Sequence, residues 1–127
     1  MAPPRGAEAY RRIEAESRSP MELVVMLYDG AIRFIGEART AHGKGDVAAR
    51  GVAVGKALNI VAELQNTLNL AEGGTIAEEL DRLYTYVNIR LVDVTLKQDA
   101  AAFDDAEKVL VTLREGWAQI ATTVPRP

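Results

Sequence analysis

Side chains able to do chemistry are few in this chain, and they are not grouped. The one histidine, His42, stands beside Gly43 in a predicted loop, and no Glu-x-x-His motif occurs. Helical bundles that hold two iron ions build their sites from such motifs, so a ferritin-like oxidase is excluded. The absence of cysteine removes thiolate nucleophiles, zinc–cysteine clusters and disulfides together. We therefore expect no metal and no cofactor.

Two arginines leave one enzymatic alternative open. Arg33 and Arg90 are placed near the edges of apolar helix faces, and arginines that converge inside a bundle could bind a small dianion. An interhelical ion pair is the favoured explanation of Arg90, because guanidinium groups at core edges commonly bind carboxylates. The pair Asp104/Lys108 has the i,i+4 spacing of a solvated helix surface. We predict that the chain is not an enzyme and has no catalytic residue.

Size and charge narrow the class of protein further. At 127 residues the chain is long enough for one domain with its own core. Its net charge of −3 arises from signs mixed along the chain, which leaves no basic face for a nucleic-acid backbone. The longest apolar run, Leu23 to Tyr28, is far shorter than the ~20 residues that span a bilayer, and the start MAPPRGAEAYRR has no signal-peptide core. These features predict a cytoplasmic protein that binds no nucleic acid and does not insert into a membrane.

Helix start and stop signals divide the chain into four long helices. Ser19-Pro20-Met21-Glu22 is a capping box with proline at the first helical position, and Thr75-Ile76-Ala77-Glu78 is a second capping box. Asp46 can cap a helix after the glycines of HGKGD, and a joint at Gln98-Asp99 precedes the last helix. The predicted helices span about 20–40, 46–70, 76–97 and 100–121.

Four helices of similar length with short connections predict an all-α fold. The expected arrangement is an antiparallel up-down-up-down four-helix bundle that covers residues 19–122. Residues 1–18 precede it as a flexible, partly disordered segment with a short apolar patch at Ala9, Tyr10 and Ile13. Residues 123–127 are predicted to be a disordered tail.

The first predicted helix is apolar on almost every side. Ten of the thirteen residues from Leu23 to Ile35 are apolar. The polar exceptions include Asp29 and Arg33, whose i,i+4 spacing suits an ion pair. Such a helix needs cover around most of its circumference. We therefore predict that it occupies the most enclosed position of the bundle.

The fourth predicted helix is simpler, because its apolar residues form one narrow stripe. That stripe is expected to face the core throughout. Its members are Phe103, Ala106, Leu110, Leu113 and Trp117.

The second and third predicted helices carry more apolar surface than a bundle needs. Opposite the core stripe of the third helix, which includes Ile76, Leu80 and Leu83, a second apolar stripe appears. On the second helix the apolar arc is wider than the about 100° that a bundle helix requires. Apolar patches left exposed on a soluble protein usually mark interaction sites. We predict a partner-binding surface made of Ile60, Leu64, Ile89, Val92 and Leu96.

Several segments of the chain resemble the flagellin export chaperones of the FliS family. The matching pieces are AYRRIEAESRSPMELVVMLYDGAIRFIGEAR, ALNIVAELQNTLN, GGTIAEELDRLYTYVNIRL and REGW. They follow the order and spacing of the family over about residues 9–120. The Ser-Pro start, the Leu-Tyr-Asp-Gly element and the Asn-Ile-Arg-Leu element make the combination specific.

The resemblance implies a function and a further part of the site. Members of the family bind the C-terminal segment of new flagellin, which is disordered when free. They keep it from polymerising in the cytoplasm and present it to the flagellar export apparatus. The N-terminal tyrosine segment of the family can lie over the client groove, and Tyr10 matches that tyrosine by position. The resemblance therefore implies that Tyr10 and Ile13 cover apolar surface until flagellin displaces them.

A second hypothesis explains the surplus apolar surface of the second and third helices without a bound flagellin segment. The chain would then be a non-chaperone helical-bundle adaptor that buries its spare apolar surface in a homodimer. The chaperone hypothesis expects a monomer or a weak homodimer that binds a flagellin peptide. The adaptor hypothesis expects an obligate dimer that is indifferent to that peptide.

Overall fold

The computed structural model describes residues 20–68 and 70–123. These residues form four helices, which are α1 (Pro20–Gly43), α2 (Val47–Asn66), α3 (Leu70–Lys97) and α4 (Ala101–Thr123). Around the bundle each helix packs against its two neighbours, in the order α1, α2, α3, α4 and back to α1. The predicted all-α, antiparallel four-helix fold is confirmed. The predicted N-terminal segment, with Tyr10 and Ile13, lies outside the described residues, as do residues 124–127.

Two helix ends differ from the sequence prediction. Helix α1 continues to Gly43, so His42 lies in its last turn and not in a loop. Helix α2 ends at Asn66 and not near residue 70. Thr67 stops it, because its hydroxyl donates to the Leu64 carbonyl (2.7 Å) and its N–H to the Glu63 carbonyl (3.2 Å). A side chain that bonds the last carbonyls ends a helix without glycine.

Unusual backbone angles occur at two further points, near the start of α3 and at the joint before α4. Helix α3 begins at Leu70 and not near residue 76, as the capping box at Thr75 predicted. It is kinked at Gly74, whose φ of 58° and ψ of −139° are open only to glycine without strain. Gly73 is also required, because a Cβ there would lie 2.5 Å from the Cβ of Ala77. At the joint before α4, Gln98 has a φ of 55°. Gln98 thus adopts the left-handed backbone conformation that glycine commonly adopts at the end of a helix.

The core runs along the bundle axis and is filled by large side chains from all four helices. The fully buried ones are Tyr28, Tyr84, Phe103, Ile35, Leu64, Leu91, Leu110, Val61, Val87 and Val94. Small residues of α1, including Ala31 and Ala38, are also buried and allow the neighbouring helices to approach.

Three consecutive residues of α1 contact the three other helices. The Tyr28 hydroxyl is hydrogen-bonded to that of Tyr84 in α3, and Asp29 accepts a bond of 2.6 Å from Arg114 in α4. The i,i+4 spacing predicted an ion pair between Asp29 and Arg33, but Asp29 pairs with Arg114 instead. Gly30 lies against Ile60 of α2, whose Cδ1 would be 3.1 Å from an added Cβ. This segment sets the position of α1 against the whole bundle.

The enclosure of α1 is less complete than predicted. Val24, Leu27 and Phe34 are half-buried and pack against the core, but Leu23 and Met26 remain exposed. The reason is geometric, because a ring of four helices has no central position and α1 packs mainly against α2 and α4.

Polar side chains fasten one end of the bundle, where the α1–α2 and α3–α4 connections meet. We call it the clamped end. Arg50 is buried, and its Nη1 lies 3.1 Å from His42 Nδ1 and donates to Gln98 Oε1 over 3.0 Å. Arg50 therefore joins α1, α2 and the α3–α4 joint.

A second arginine fastens α3 to α4 at the clamped end. Arg90 bonds to Asp93 (2.9 Å), Asp99 (3.0 Å) and Asp105 (2.9 Å). These carboxylates raise the pKa of the Arg90 guanidinium, Asp99 most of all, while partial burial opposes them. Arg90 is thus the interhelical ion-pair residue that its place at a core edge predicted.

Substitution of two glycines, Gly55 inside α2 and Gly74 at the kink of α3, tests this architecture. Gly55 lies inside α2 with nothing within 4 Å of an added Cβ, so Gly55→Ala is expected to raise the free energy of unfolding by about 0.5–1 kcal/mol. Gly74→Ala should lower it by about 1–3 kcal/mol, because its backbone angles strain any side chain. Urea unfolding measures both, and shifts of the same sign would contradict the kink at Gly74.

Candidate docking surfaces

One exposed apolar surface lies on the outer side of α3. Ile89, Val92 and Leu96 are all exposed, Leu96 by 74% of its surface. They recur at three- and four-residue spacing and therefore share one side of the helix. We call these three residues the outer stripe. The structure places them at the surface, where the sequence analysis expected them.

The two residues predicted from α2 do not join the outer stripe. Leu64 is 1% exposed and belongs to the core, so its predicted place on the surface is wrong. The wide apolar arc of α2 misled the prediction, because Leu64 is needed for the core where α2 faces α1 and α3. Ile60 is partly buried against the core and lies beside Gly30 of α1. It is therefore on the α1 side of α2, away from the stripe on α3.

A second apolar surface, which the sequence analysis missed, is a groove between α3 and α4. On α3 it exposes Ile76 and Leu83, by 72% and 36%. On α4, Thr112 and Gly116 lie between larger apolar residues and leave room in the groove. We call this surface the α3–α4 groove, and its apolar lining is Ile76, Leu80, Leu83, Val109, Leu113, Trp117 and Ile120.

The α3–α4 groove continues into a cavity of about 370 Å³ at the end of the bundle opposite the clamped end. We call it the end cavity. Ile76, Leu80 and Trp117 line both spaces and form their common wall. Other lining residues come from the start of α1 (Pro20, Met21, Val24), from the end of α2 (Leu64, Thr67, Leu68) and from α3 (Gly73, Ala77, Tyr84). All four helices therefore meet at an apolar opening.

The contacts between α3 and α4 differ at the two ends of the bundle, and this difference explains why the groove exists. Near the clamped end, Arg90 draws α3 and α4 together through Asp105. Towards the other end, no charged pair of the described residues links α3 to α4, and Leu113 and Trp117 are only half-buried. Leu113 and Trp117 of the predicted α4 stripe do pack against the core, but they also line the groove.

Polar groups beneath the end cavity form a short chain of hydrogen bonds. Trp117 Nε1–H donates to the Tyr28 hydroxyl over 3.1 Å, and Tyr28 is bonded to the Tyr84 hydroxyl. Burial raises the pKa of Tyr28, while its two hydrogen bonds oppose that rise. Burial also raises the pKa of Tyr84, and its bond to Tyr28 raises it further. Both hydroxyls are therefore held neutral.

A wider depression of about 600 Å³ lies between the end of α1 and the start of α2. Its charges are balanced, with Arg33 and Lys44 against Glu37 and Asp46, and none of its lining residues is a large apolar one. It lacks the apolar wall of the α3–α4 groove, so we do not consider it a docking surface.

The enzymatic alternative finds no support in this geometry. Arg33 stacks on the Phe34 ring, with its Cζ 4.8 Å from the ring centroid, whereas Arg90 is fully engaged by carboxylates at the clamped end. The two arginines do not converge on one cavity. Within residues 20–68 and 70–123, no cluster of His, Asp and Glu suits a metal ion. The same residues include no helix long and apolar enough to cross a bilayer.

Fold and surface together define a class, that of helical-bundle proteins that expose apolar grooves. Comparison with known proteins identifies the family within that class. The family model described as flagellar protein FliS matches residues 3–124, so the chain belongs to the FliS family. FliS is a family of chaperones and not of enzymes, which confirms both the resemblance and the prediction of a non-enzymatic protein.

Individual relatives agree with this assignment. The flagellar secretion chaperone FliS of Salmonella typhimurium is 39% identical, over 91% of this chain and 90% of its own. The protein of the same name from Vibrio cholerae is 31% identical over 89% and 86% of the two chains. That of Bacillus subtilis is 31% identical over 87% and 82%.

The buried tyrosine pair predicts a loss of stability at high pH. Because the pKa values of Tyr28 and Tyr84 are raised above their ordinary value of 10.0, the folded chain keeps these two protons more tightly than the unfolded chain. Their stabilising effect is complete below pH 10.0 and is lost as the pH rises above it. The expected slope is about 1.4 kcal/mol per pH unit for each tyrosine that stays protonated only when folded.

Urea unfolding at several alkaline pH values measures this slope. Tyr84→Phe should reduce it, whereas Tyr86→Phe, which removes an exposed hydroxyl, should leave it as it is. A slope that does not change in Tyr84→Phe would show that the buried pair is not its source.

Proposed function

We propose that the chain is a cytoplasmic export chaperone that binds the disordered C-terminal segment of flagellin. It prevents premature polymerisation of flagellin and delivers it to the flagellar export apparatus. The observation that carries this proposal is the presence of two exposed apolar surfaces, the outer stripe and the α3–α4 groove, on a bundle whose core is already filled. Family membership adds support, since relatives carry the name flagellar secretion chaperone.

The arrangement of the two surfaces favours an extended client. The groove lies between α3 and α4, whereas the outer stripe lies on a side of α3 that faces neither the core nor α4. A folded partner with one flat face could not cover both. A disordered segment can wrap around a bundle and form amphipathic helices as it docks, at a cost in ordering entropy. Once bound, its apolar residues are no longer available for assembly.

Charge substitution at each surface tests the proposal. Leu83→Asp in the groove and Leu96→Asp in the outer stripe place a carboxylate where an apolar client side chain would dock, so each should weaken binding at least about tenfold. Both positions are exposed, which leaves the fold intact. The affinity is measured by calorimetry with a synthetic peptide of the C-terminal segment of the organism's own flagellin.

Val52→Asp is the matched control. Val52 is an exposed aliphatic residue of α2 outside both surfaces, so its variant should bind the peptide as the natural chain does. Equal weakening in all three variants would indicate a general effect of charge. A natural chain that fails to bind the peptide would refute the proposed function.

Light scattering distinguishes the adaptor hypothesis. A chaperone of this kind is expected as a monomer or weak homodimer that forms a one-to-one complex with the peptide. An obligate dimer that Leu96→Asp dissociates, and that ignores the peptide, would favour burial of the outer stripe between two copies.

The proposed role of Tyr10 and Ile13 as a cap over the client surface is tested in the full chain. A segment that competes with the client lowers its apparent affinity, so Tyr10→Ala and Ile13→Ala should each bind the flagellin peptide about two- to tenfold more tightly. Arg12→Ala is the control within the same segment. Unchanged or weaker binding in both variants would rule out a competing cap.

A further inference from the structure

We infer that Tyr28, which has no exposed surface of its own, is a positioning residue for the client site because it orients Trp117 in the wall of the α3–α4 groove. The inference rests on the proposed function, since it takes the groove to be where flagellin docks. It extends that function to a residue of α1 that no client can touch.

Trp117 is the residue through which such an effect would reach the surface. It lies in α4, is half-buried, and belongs to the wall shared by the groove and the end cavity. Its indole has one hydrogen-bond donor, and that donor is directed at the Tyr28 hydroxyl over 3.1 Å. The direction in which the flat ring faces Ile76 and Leu80 is therefore tied to a single acceptor.

That acceptor is held in a fixed place. Tyr28 is 0% exposed, its hydroxyl is bonded to that of Tyr84, and the two ring centroids are 6.4 Å apart. The next residue, Asp29, binds Arg114 in α4, the helix that also carries Trp117. Tyr28 thus offers the indole an oxygen on a fully buried ring, in a segment of α1 that the neighbouring ion pair fixes to α4.

Loss of the bond would change the shape of the groove without changing its lining residues. An indole whose N–H has no partner in an apolar setting turns towards solvent or towards another acceptor, because an unpaired donor there is costly. Trp117 would then no longer present the same face beside Ile76 and Leu80. A client helix that packs against that face loses contact, although the core still holds the bundle together.

The test compares two variants, each of which lacks one buried tyrosine hydroxyl. Tyr28→Phe removes the acceptor of the Trp117 bond, whereas Tyr84→Phe removes the neighbouring hydroxyl and leaves that bond in place. Tyr28→Phe is expected to weaken binding of the flagellin peptide about three- to tenfold, and Tyr84→Phe less than about twofold. Circular dichroism verifies that both variants keep their helices.

A double-mutant cycle separates positioning from general destabilisation. If Tyr28 acts through the indole, Tyr28→Phe should weaken binding no further in a chain that already carries Trp117→Phe. Additive losses, or equal losses in Tyr28→Phe and Tyr84→Phe, would overturn the inference while the proposed function stands. Absence of peptide binding by the natural chain would refute the function instead.

A second measurement needs no client. Trp117 is the only tryptophan of the chain, so its indole N–H gives one resonance whose exchange with solvent can be followed. Exchange should accelerate in Tyr28→Phe and stay near the natural rate in Tyr84→Phe. An indole proton that is equally protected in Tyr28→Phe would overturn the inference whether or not flagellin binds.

Discussion

The buried hydroxyl of Tyr28 is the point at which side chains of α1, α3 and α4 meet through hydrogen bonds. An unpaired hydroxyl in a core is costly, so the helices that satisfy it are held in a fixed relation to α1. Tyr84 supplies a partner from α3 and Trp117 one from α4. Asp29 and Gly30 extend the same constraint to Arg114 and Ile60. These directional contacts, together with the close-packed apolar side chains, specify one register of α1 against its neighbours.

The exposed apolar surface of the α3–α4 groove lies beyond the polar contacts of the clamped end. Arg50 and Arg90 fasten the helices of the clamped end to one another through side-chain hydrogen bonds and ion pairs. At the opposite end no charged pair of residues 20–68 and 70–123 joins α3 to α4, and the half-buried Leu80, Leu113 and Trp117 remain accessible. The bundle is therefore fastened by polar contacts at one end and exposes apolar surface at the other. Under the proposed function, a client docks there without disturbing the contacts of the clamped end.

Helix boundaries and fold class could be predicted from the sequence because they depend on local signals. Asp46 caps α2 by accepting a 3.0 Å bond from the Ala49 N–H, and α3 is kinked at Gly74, directly before the predicted capping box at Thr75. The docking surfaces depend on how far apart two helices stand, which periodicity does not reveal. Leu64 and Leu113 show the limit, since both belong to apolar stripes, yet one is buried and the other lines a groove.

The polar seam between α2 and α3 accounts for the spare apolar residues of α3. Gln65 of α2 donates to Asp81 over 2.8 Å and to Thr85 over 3.1 Å, so this interface is held partly by side-chain hydrogen bonds. Residues of α3 that would otherwise fill an apolar seam are not needed there. Ile89 and Leu96 can then face outward at no loss to the core, which is already closed by Val87, Leu91 and Val94. Helix α3 thus has a polar side towards α2, the groove towards α4 and the exposed apolar outer stripe on its outer side.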